Sequence, residues 1–155
     1  MSAYDQNTER WVKQSVEKAL VSAASMAGVA VQFDGMQHAD TESLEEWVRF
    51  FCLTLGRREG RDTDVTMVPI FQASCFAKFA ERRVDGQTDA PWILAGKVQK
   101  AIGQTSIAVK TYGDASPDTI GHLTLHAGNP RYIGQVPDAE SVHMVEVTFT
   151  GSFNK

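Results

Sequence analysis

The chain has 155 residues, of which 43% are hydrophobic and 22% charged, a composition typical of one globular domain covering residues 1–155. Fifteen basic and nineteen acidic residues give a net charge of −4, which argues against a general nucleic-acid-binding protein. The N-terminus is polar, and no run approaches the ~20 apolar residues of a membrane helix. We therefore expect no signal peptide, no membrane span and synthesis in the cytoplasm.

The first predicted element is an amphipathic helix over residues 9–27, capped by Asn7 or Thr8 and ended by Gly28. Small residues crowd its last turns and would let it lie close to a sheet. Its apolar stripe comprises Val12, Val16, Ala19, Leu20, Ala23 and Met26. A short strand over residues 29–33 follows and closes at the turn pair Asp34-Gly35. The polar residues 36–46 predict a loop, in which 41–44 can form a helical turn.

The centre of the sequence predicts a long antiparallel hairpin. Residues 47–55 and 65–79 are rich in β-branched and aromatic residues, and the charged stretch 56–64 with two glycines separates them. Pro69 cannot donate to a ladder, which predicts an edge or a bulge. One face of the second strand carries Met67, Phe71, Ala73, Cys75, Ala77 and Phe79. Strands of this length exceed the needs of a small core, so we expect the outer part of the hairpin to project.

The polar residues 81–89 predict an exposed loop before a second helix. Thr88 or Asp89 caps this helix, Pro91 lies in its first turn, and Gly103 ends it. We assign its apolar side to Trp92, Ala95, Val98, Ala101 and Ile102.

The remainder of the chain predicts strands at 107–112, 120–126 and 142–153. A short edge piece is predicted at 131–134, after the break Gly128-Asn129-Pro130. Helices separated by runs of strands indicate an α+β fold, with two helices packed on one face of a largely antiparallel or mixed sheet and a long projecting β-hairpin. The residues expected to pack together across helices and sheet are Val16, Leu20, Phe71, Val98 and Val147.

Few residues suggest chemistry. Cys52 and Cys75 lie within the hairpin strands, which favours buried thiols over a cross-strand disulfide or a metal pair. His122 and His126 are four apart on a predicted strand, about 13 Å, which is too far for chelation. The sequence has no nucleophile elbow and no phosphate-cradling loop. We expect no enzyme activity, no metal and no cofactor.

Two loops combine arginines with acidic residues. Such mixed-sign loops are either plain solvated surface or the rim of a protein–protein interface, where alternating charge fixes register. The candidate interface residues are Arg57, Arg58, Glu59 and Arg61 at the hairpin tip and Arg82, Arg83 and Asp85 in the second loop.

The order of elements gives the chain a resemblance to a known family over about residues 8–153. The elements that carry this resemblance are the first helix, the strand at 29–33, the hairpin at 47–79, the helix with Trp92-Ile93-Leu94-Ala95-Gly96-Lys97-Val98 and the closing strand Val145-Glu146-Val147-Thr148-Phe149. In these features the chain resembles the phage tail-terminator family. The resemblance implies a hexameric ring that caps the tail tube, ends tail polymerisation and forms the docking face for the DNA-filled head.

The resemblance also implies the partners and the location. The partners would be further copies of the chain, the tail-tube protein and a head–tail connector or stopper protein, with DNA passing through the ring without sequence-specific binding. The location would be the tail–neck junction of the virion, after assembly in the host cytoplasm. A head–tail neck or connector adaptor is the alternative, followed by a small enzyme of unknown chemistry. We expect the tip at 55–65 and the loop at 82–89 to mediate the ring contacts.

Overall fold

The computed structural model describes residues 8–34, 44–59, 65–78, 89–136 and 139–154. Within these ranges the chain forms two α-helices, α1 (Thr8–Ser22) and α2 (Ala90–Ile102). The strands are β1 (Val31–Phe33), β2 (Glu46–Thr54), β3 (Arg57–Glu59), β4 (Val65–Met67), β5 (Ile70–Lys78), β6 (Ser106–Lys110), β7 (Thr119–Ala127), β8 (Arg131–Val136) and β9 (Ala139–Asn154). The predicted loops at 36–43 and 81–88, the cap Asn7 and the turn residue Gly35 lie outside the described residues.

Seven strands form one mixed sheet in the order β1-β2-β5-β9-β7-β6, with β8 also paired to β9. β1 runs parallel to β2, and every other pairing is antiparallel. The predicted hairpin is confirmed, because β2 pairs with β5 and β3 continues the hairpin by pairing with β4. Pro69 lies between β4 and β5, beside the register shift at Cys52/Thr54. The α+β class with a largely antiparallel sheet is confirmed.

Both helices pack on the same face of the sheet. The five residues predicted to pack together, Val16, Leu20, Phe71, Val98 and Val147, are all fully buried and belong to one cluster. On β9 the predicted alternation is also present, since Val145, Val147 and Phe149 are buried whereas Met144, Glu146 and Thr148 are partly exposed. A period of two on the strands and a period of 3.6 on the helices therefore define one core.

The first helix is shorter than predicted. It ends at Ser22, where the hydroxyl donates to the Lys18 carbonyl at 2.7 Å, and a 3₁₀ turn occupies Ala24–Met26. The 3₁₀ turn lies against α2, where the Ser25 hydroxyl donates to the Lys97 carbonyl at 3.0 Å. This turn also delays the following strand, because the Val29 amide donates to the Met26 carbonyl and β1 begins only at Val31.

Trp92 was assigned to the apolar side of α2, and this assignment is wrong. The buried side of α2 comprises Pro91, Leu94, Ala95, Val98 and Ile102. Trp92 lies to one side of this buried face of the helix and is therefore exposed. Its ring lies against Tyr132 instead. Asp89 occupies the N-cap position of α2, as predicted, but it does not cap the helix with its side chain. Its backbone is already helical, and its side chain makes no capping hydrogen bond.

Trp11 is a core residue that the sequence analysis missed. It is buried at the edge of the α1 stripe, and its indole Nε1 donates to the Tyr112 carbonyl at 3.1 Å. That hydrogen bond satisfies the polar atom of an otherwise apolar ring. It also joins the start of α1 to the turn after β6.

The C-terminal half is more regular than predicted. The break at Gly128-Asn129-Pro130 separates β7 from β8, and both strands pair along the same edge of β9. The Gly128 amide donates to the Thr148 carbonyl at 2.7 Å, which holds the break against β9. The predicted edge piece at 131–134 is thus a six-residue strand.

Candidate interaction surfaces

The hairpin changes direction at Gly56, between β2 and β3. Gly56 has a φ of +55°, and an ideal Cβ there would lie 2.2 Å from the Val68 carbonyl oxygen. The Val68 amide donates to the Gly56 carbonyl at 3.2 Å, which closes the base of the extension formed by β3 and β4. Glycine is required at this point because any other residue would clash with backbone and adopt a left-handed conformation.

The predicted tip residues fall partly within this extension. Arg57, Arg58 and Glu59 form β3, whose backbone pairs with Met67, Thr66 and Val65, respectively. The other predicted interface residues, Arg61, Arg82, Arg83 and Asp85, lie outside the described residues. The assignment of these loops to an interface stays a prediction.

A second surface centres on Trp92 of α2 and Tyr132 of β8. We call these two residues, together with their exposed chain neighbours Ile93 and Ile133, the aromatic patch. All four side chains are exposed. The rings of Trp92 and Tyr132 stack with centroids 6.5 Å apart and an interplanar angle of 17°. Exposed clusters of aromatic and aliphatic side chains are typical of binding surfaces.

Tyr132 is held in place from its other side by His143 of β9. The two rings stack with centroids 5.9 Å apart, and the Tyr132 hydroxyl is hydrogen-bonded to Nδ1 of His143. His143 is buried, so it anchors the exposed tyrosine to the sheet. The aromatic patch is therefore fixed in geometry before any partner binds.

Sequence reasoning missed the aromatic patch as a site. The signal available was the run Pro91 to Ala95, which contains more apolar residues than one helical stripe can bury. A second signal was the pair Tyr132-Ile133 before Gly134, which breaks strict alternation. Neither signal shows that residues 92 and 132 meet.

The face of the sheet opposite the helices carries a polar row across four strands. Arg49 lies opposite Ser74, Ser74 opposite Glu146, and Glu146 opposite Arg131. Gln72 Nε2 donates to Glu146 Oε2 at 2.8 Å, and Arg131 approaches Glu146 Oε1 at 3.3 Å. Because the Arg131 side chain is 72% exposed, this ion pair contributes little stability. We call this surface the open face, since the described residues place neither helix on it.

The two thiols have environments that suppress reactivity. The pKa of Cys52 is raised to about 11, mainly by burial. Burial also raises the pKa of Cys75, to about 12. Both cysteines are free, and they do not face each other, because Cys75 lies opposite Val48 and Cys52 opposite Phe71. A protonated thiol is a weak nucleophile and a poor metal ligand.

Other chemistry is equally sparse in the part of the chain that is described. No group of three or more His, Cys, Asp or Glu residues there could hold a metal ion, and His122 and His126 are both exposed on β7. Neither described helix is long and apolar enough to cross a membrane.

One charged cluster ties α1 to the end of β1. Lys13 Nζ lies 3.3 Å from Glu17 Oε1 and 3.1 Å from Asp34 Oδ1. Desolvation is the largest cause of the raised pKa of Glu17, and the nearby Lys13 only partly offsets it. The cluster is thus a structural contact between helix and sheet.

Comparisons with known proteins give structural matches alone. No protein-family model and no curated protein matches the sequence. A chain in the virion of a native gene transfer agent particle is similar in fold, with a TM-score of 0.67 and 14% identity over 97% of this chain and 100% of that chain. A second solved structure, named only by a sequence identifier, has a TM-score of 0.57 and 11% identity over 95% of this chain and 96% of that chain. At these identities the matches show that the whole described arrangement is a known fold.

Proposed function

We propose that the chain is a structural subunit of a phage-like particle. In this proposal it acts at the end of the tail, as a ring that stops polymerisation of the tail tube and offers the docking face for the DNA-filled head. The observation that carries the proposal is the full-length likeness in fold to a chain of a gene transfer agent virion. The element order that resembles the tail-terminator family supports the more specific role.

The proposed role is mechanical and needs surfaces rather than catalytic groups. The described part of the chain offers two such surfaces, the β3–β4 extension and the aromatic patch. Both thiols remain protonated near neutral pH because their pKa values are raised. We therefore propose a protein that is not an enzyme and uses no cofactor.

The proposed partners are further copies of the chain in a hexameric ring, the tail-tube protein and a head–tail connector or stopper protein. DNA would pass through the ring without sequence-specific binding. A net charge of −4 suits this role, because a strongly basic wall would bind phosphates and hold the DNA. The proposed location is the tail–neck junction of the virion, after assembly in the host cytoplasm.

Charge reversal at the hairpin tip tests this proposal. In particles made from the genome that encodes the chain, Arg57→Glu with Arg58→Glu should leave the melting temperature within about 2 °C but give overlong tails and unjoined heads. The matched control is Arg10→Glu with Lys100→Glu, which makes the same charge change at exposed positions of the two helices. The control should give normal tails.

Electron microscopy of tail length and head attachment distinguishes the candidate functions. Overlong tails support the terminator role. Tails of normal length with unjoined heads favour the head–tail adaptor instead. Normal tails with normal head joining in the Arg57/Arg58 variant would refute the assignment of the tip to capping, and absence of the chain from purified particles would refute a virion role.

A further inference from the structure

We propose that the aromatic patch of one copy binds the hairpin corner of a second copy, where the hairpin corner is Leu53 together with the β3–β4 extension. The proposal rests on the ring assembly proposed above and names the two surfaces that meet in it. Trp92 and Tyr132 would form the floor of the receptor, and Leu53 would be the side chain inserted against them.

The aromatic patch accounts for most of the apolar side chains that the described residues expose. Among the described residues, six large hydrophobic side chains are exposed. Four of them belong to the patch and are 43–54% exposed, namely Trp92, Ile93, Tyr132 and Ile133. Tryptophan and tyrosine are the residues that most often dominate binding energy at interfaces. Because Tyr132 is already fixed by Trp92 and His143, little side-chain entropy would be lost on binding.

The hairpin corner is the second place where apolar and backbone groups need cover. Leu53 is 51% exposed at the end of β2. The extension that follows has only three residue pairs, and among the described strands β3 and β4 pair only with each other. Met67 of β4 is buried in the main core cluster and anchors the inner end of this ladder. Beyond that anchor a two-stranded ladder is only marginally stable in water, so the outer part of the corner gains from a neighbour.

Both surfaces are marked by a β-bulge that exposes an aliphatic side chain. On β2, Cys52 lies opposite Phe71 and Thr54 opposite Ile70, so Leu53 is the extra residue. On β8, residues 132 and 134 lie opposite 145 and 144, so Ile133 is the extra residue. Bulges commonly re-aim a side chain at the edge of a sheet. Two bulges that both turn an aliphatic residue into solvent suggest a matched pair of contacts.

The two surfaces cannot meet within one copy. Tyr132 lies opposite Val145 of β9, whereas the Leu53 bulge lies level with Phe149 and Thr150, about 15 Å further along the strand. Three strand spacings separate β8 from β2, which adds about 14 Å in the other direction. Two different surfaces at diagonal corners can satisfy each other only head to tail, which is the type of contact that closes into rings.

Charge also favours the contact between a hairpin corner and an aromatic patch over a contact between two hairpin corners. The sequence places Arg57 and Arg58 four and five positions after Leu53. Asp89 is exposed three positions before Trp92. With Glu59 included, the described part of the hairpin corner carries a net charge of +1, so a head-to-tail contact would bring a positive corner towards Asp89, whereas two hairpin corners would bring like charges together. Complementary charge of this kind selects the partner and its orientation.

Cysteine cross-linking tests the contact. Leu53→Cys and Ile133→Cys are combined in one chain with Cys52→Ala, and the purified protein is oxidised at its highest soluble concentration. The two new thiols are too far apart for a bridge within one copy, since a disulfide needs Cα atoms within about 7 Å. We expect a ladder of covalent oligomers from the double variant, only monomer from each single variant, and only a dimer from an equal mixture of the two single variants.

Two further variants keep the result interpretable. Val21→Cys with Ile133→Cys pairs the patch with an aliphatic position on α1 that is at least as exposed as Leu53, and it should give no ladder. Adding Tyr132→Ala to the cross-linking pair should reduce the ladder at least tenfold while the protein still melts cooperatively.

Three outcomes would overturn the proposal. They are homodimers from Ile133→Cys alone, a ladder of equal yield from the Val21 variant, and no ladder from the Leu53–Ile133 pair. The proposed function is judged separately, by the presence of the chain in particles and by tail length. Failure of the cross-link in a chain that still caps tails would refute only this contact.

Discussion

Phe71 and Phe76 lie five positions apart on β5, and their side chains lie on opposite faces of the sheet. Phe71 stacks on Phe50 with centroids 5.5 Å apart inside the large cluster beneath the helices. Phe76 stacks on Trp47 at 5.2 Å, but only Val142 completes the buried part of that cluster. The two ring pairs have the same geometry and different surroundings. The face covered by the helices thus holds the main core, whereas the open face carries a small apolar cluster beside a row of polar residues.

The largest effect is expected at Phe71. Phe71→Ala should lower the free energy of unfolding by about 3–5 kcal/mol, because the cavity is enclosed by strands and helices and cannot collapse easily. That is a large share of the ~5–15 kcal/mol typical of a domain. Urea denaturation followed by circular dichroism measures it. A loss below about 2 kcal/mol would contradict the role assigned to the covered face.

Phe76→Ala should cost less, about 3 kcal/mol or less, because its small cluster borders the solvent and water can occupy the space left. The same urea experiment on both variants makes the comparison within one strand. Equal losses for Phe71→Ala and Phe76→Ala would show that the two faces contribute alike, and the distinction between them would fail.

Gly56→Ala tests whether β3 and β4 can be destabilised without destabilising the rest of the sheet. A left-handed conformation costs a residue with a Cβ about 1–2 kcal/mol, and the Cβ at this point also meets the Val68 carbonyl oxygen. Gly28→Ala is the matched control, since Gly28 has a φ of +76° and open space around it. Amide exchange should accelerate in β3 and β4 of the Gly56 variant only. Unchanged protection there would contradict a joint at Gly56.

The smallest effect is expected on the open face. Glu146→Gln removes the charge that faces Arg131, and it should cost less than about 1 kcal/mol because the Arg131 side chain is 72% exposed, although Glu146 itself is only 20% exposed. Thermal unfolding at low and high salt measures the change, and the wild-type advantage should shrink at high salt. A loss above about 2 kcal/mol would mean that the polar row helps to hold the sheet together.

The periodicity of apolar residues in the sequence is sufficient to predict most of the core and the central hairpin. The alternation on β5 and β9 and the helical spacing of Val16 and Leu20 each define a buried face without knowledge of the partner. The wrong assignment of Trp92 shows the limit of this approach. Hydrophobicity identifies the residues that favour burial, and which of them are buried depends on the direction in which the helix lies across the sheet.

The aromatic patch could not be predicted because it depends on contacts between distant parts of the chain. Trp92 and Tyr132 are 40 positions apart, and their meeting depends on the pairing of β8 with β9 and on the register shift at Ile133. A one-residue difference in register would turn Tyr132 to the other face. Local patterns do not specify such a shift.

The position of β9 has a consequence for how the chain reaches this structure. β9 pairs with β5, β7 and β8, and it joins partners far apart in sequence, such as Gln72 and Glu146, which are 74 positions apart. Until β9 has been synthesised, β5 has one unpaired edge and β7 and β8 have no central strand to join. Pairings of such long range close slowly, so the nascent chain would spend this interval with an exposed sheet edge. The interval before β9 pairs is therefore the period of greatest risk of aggregation during production of the protein.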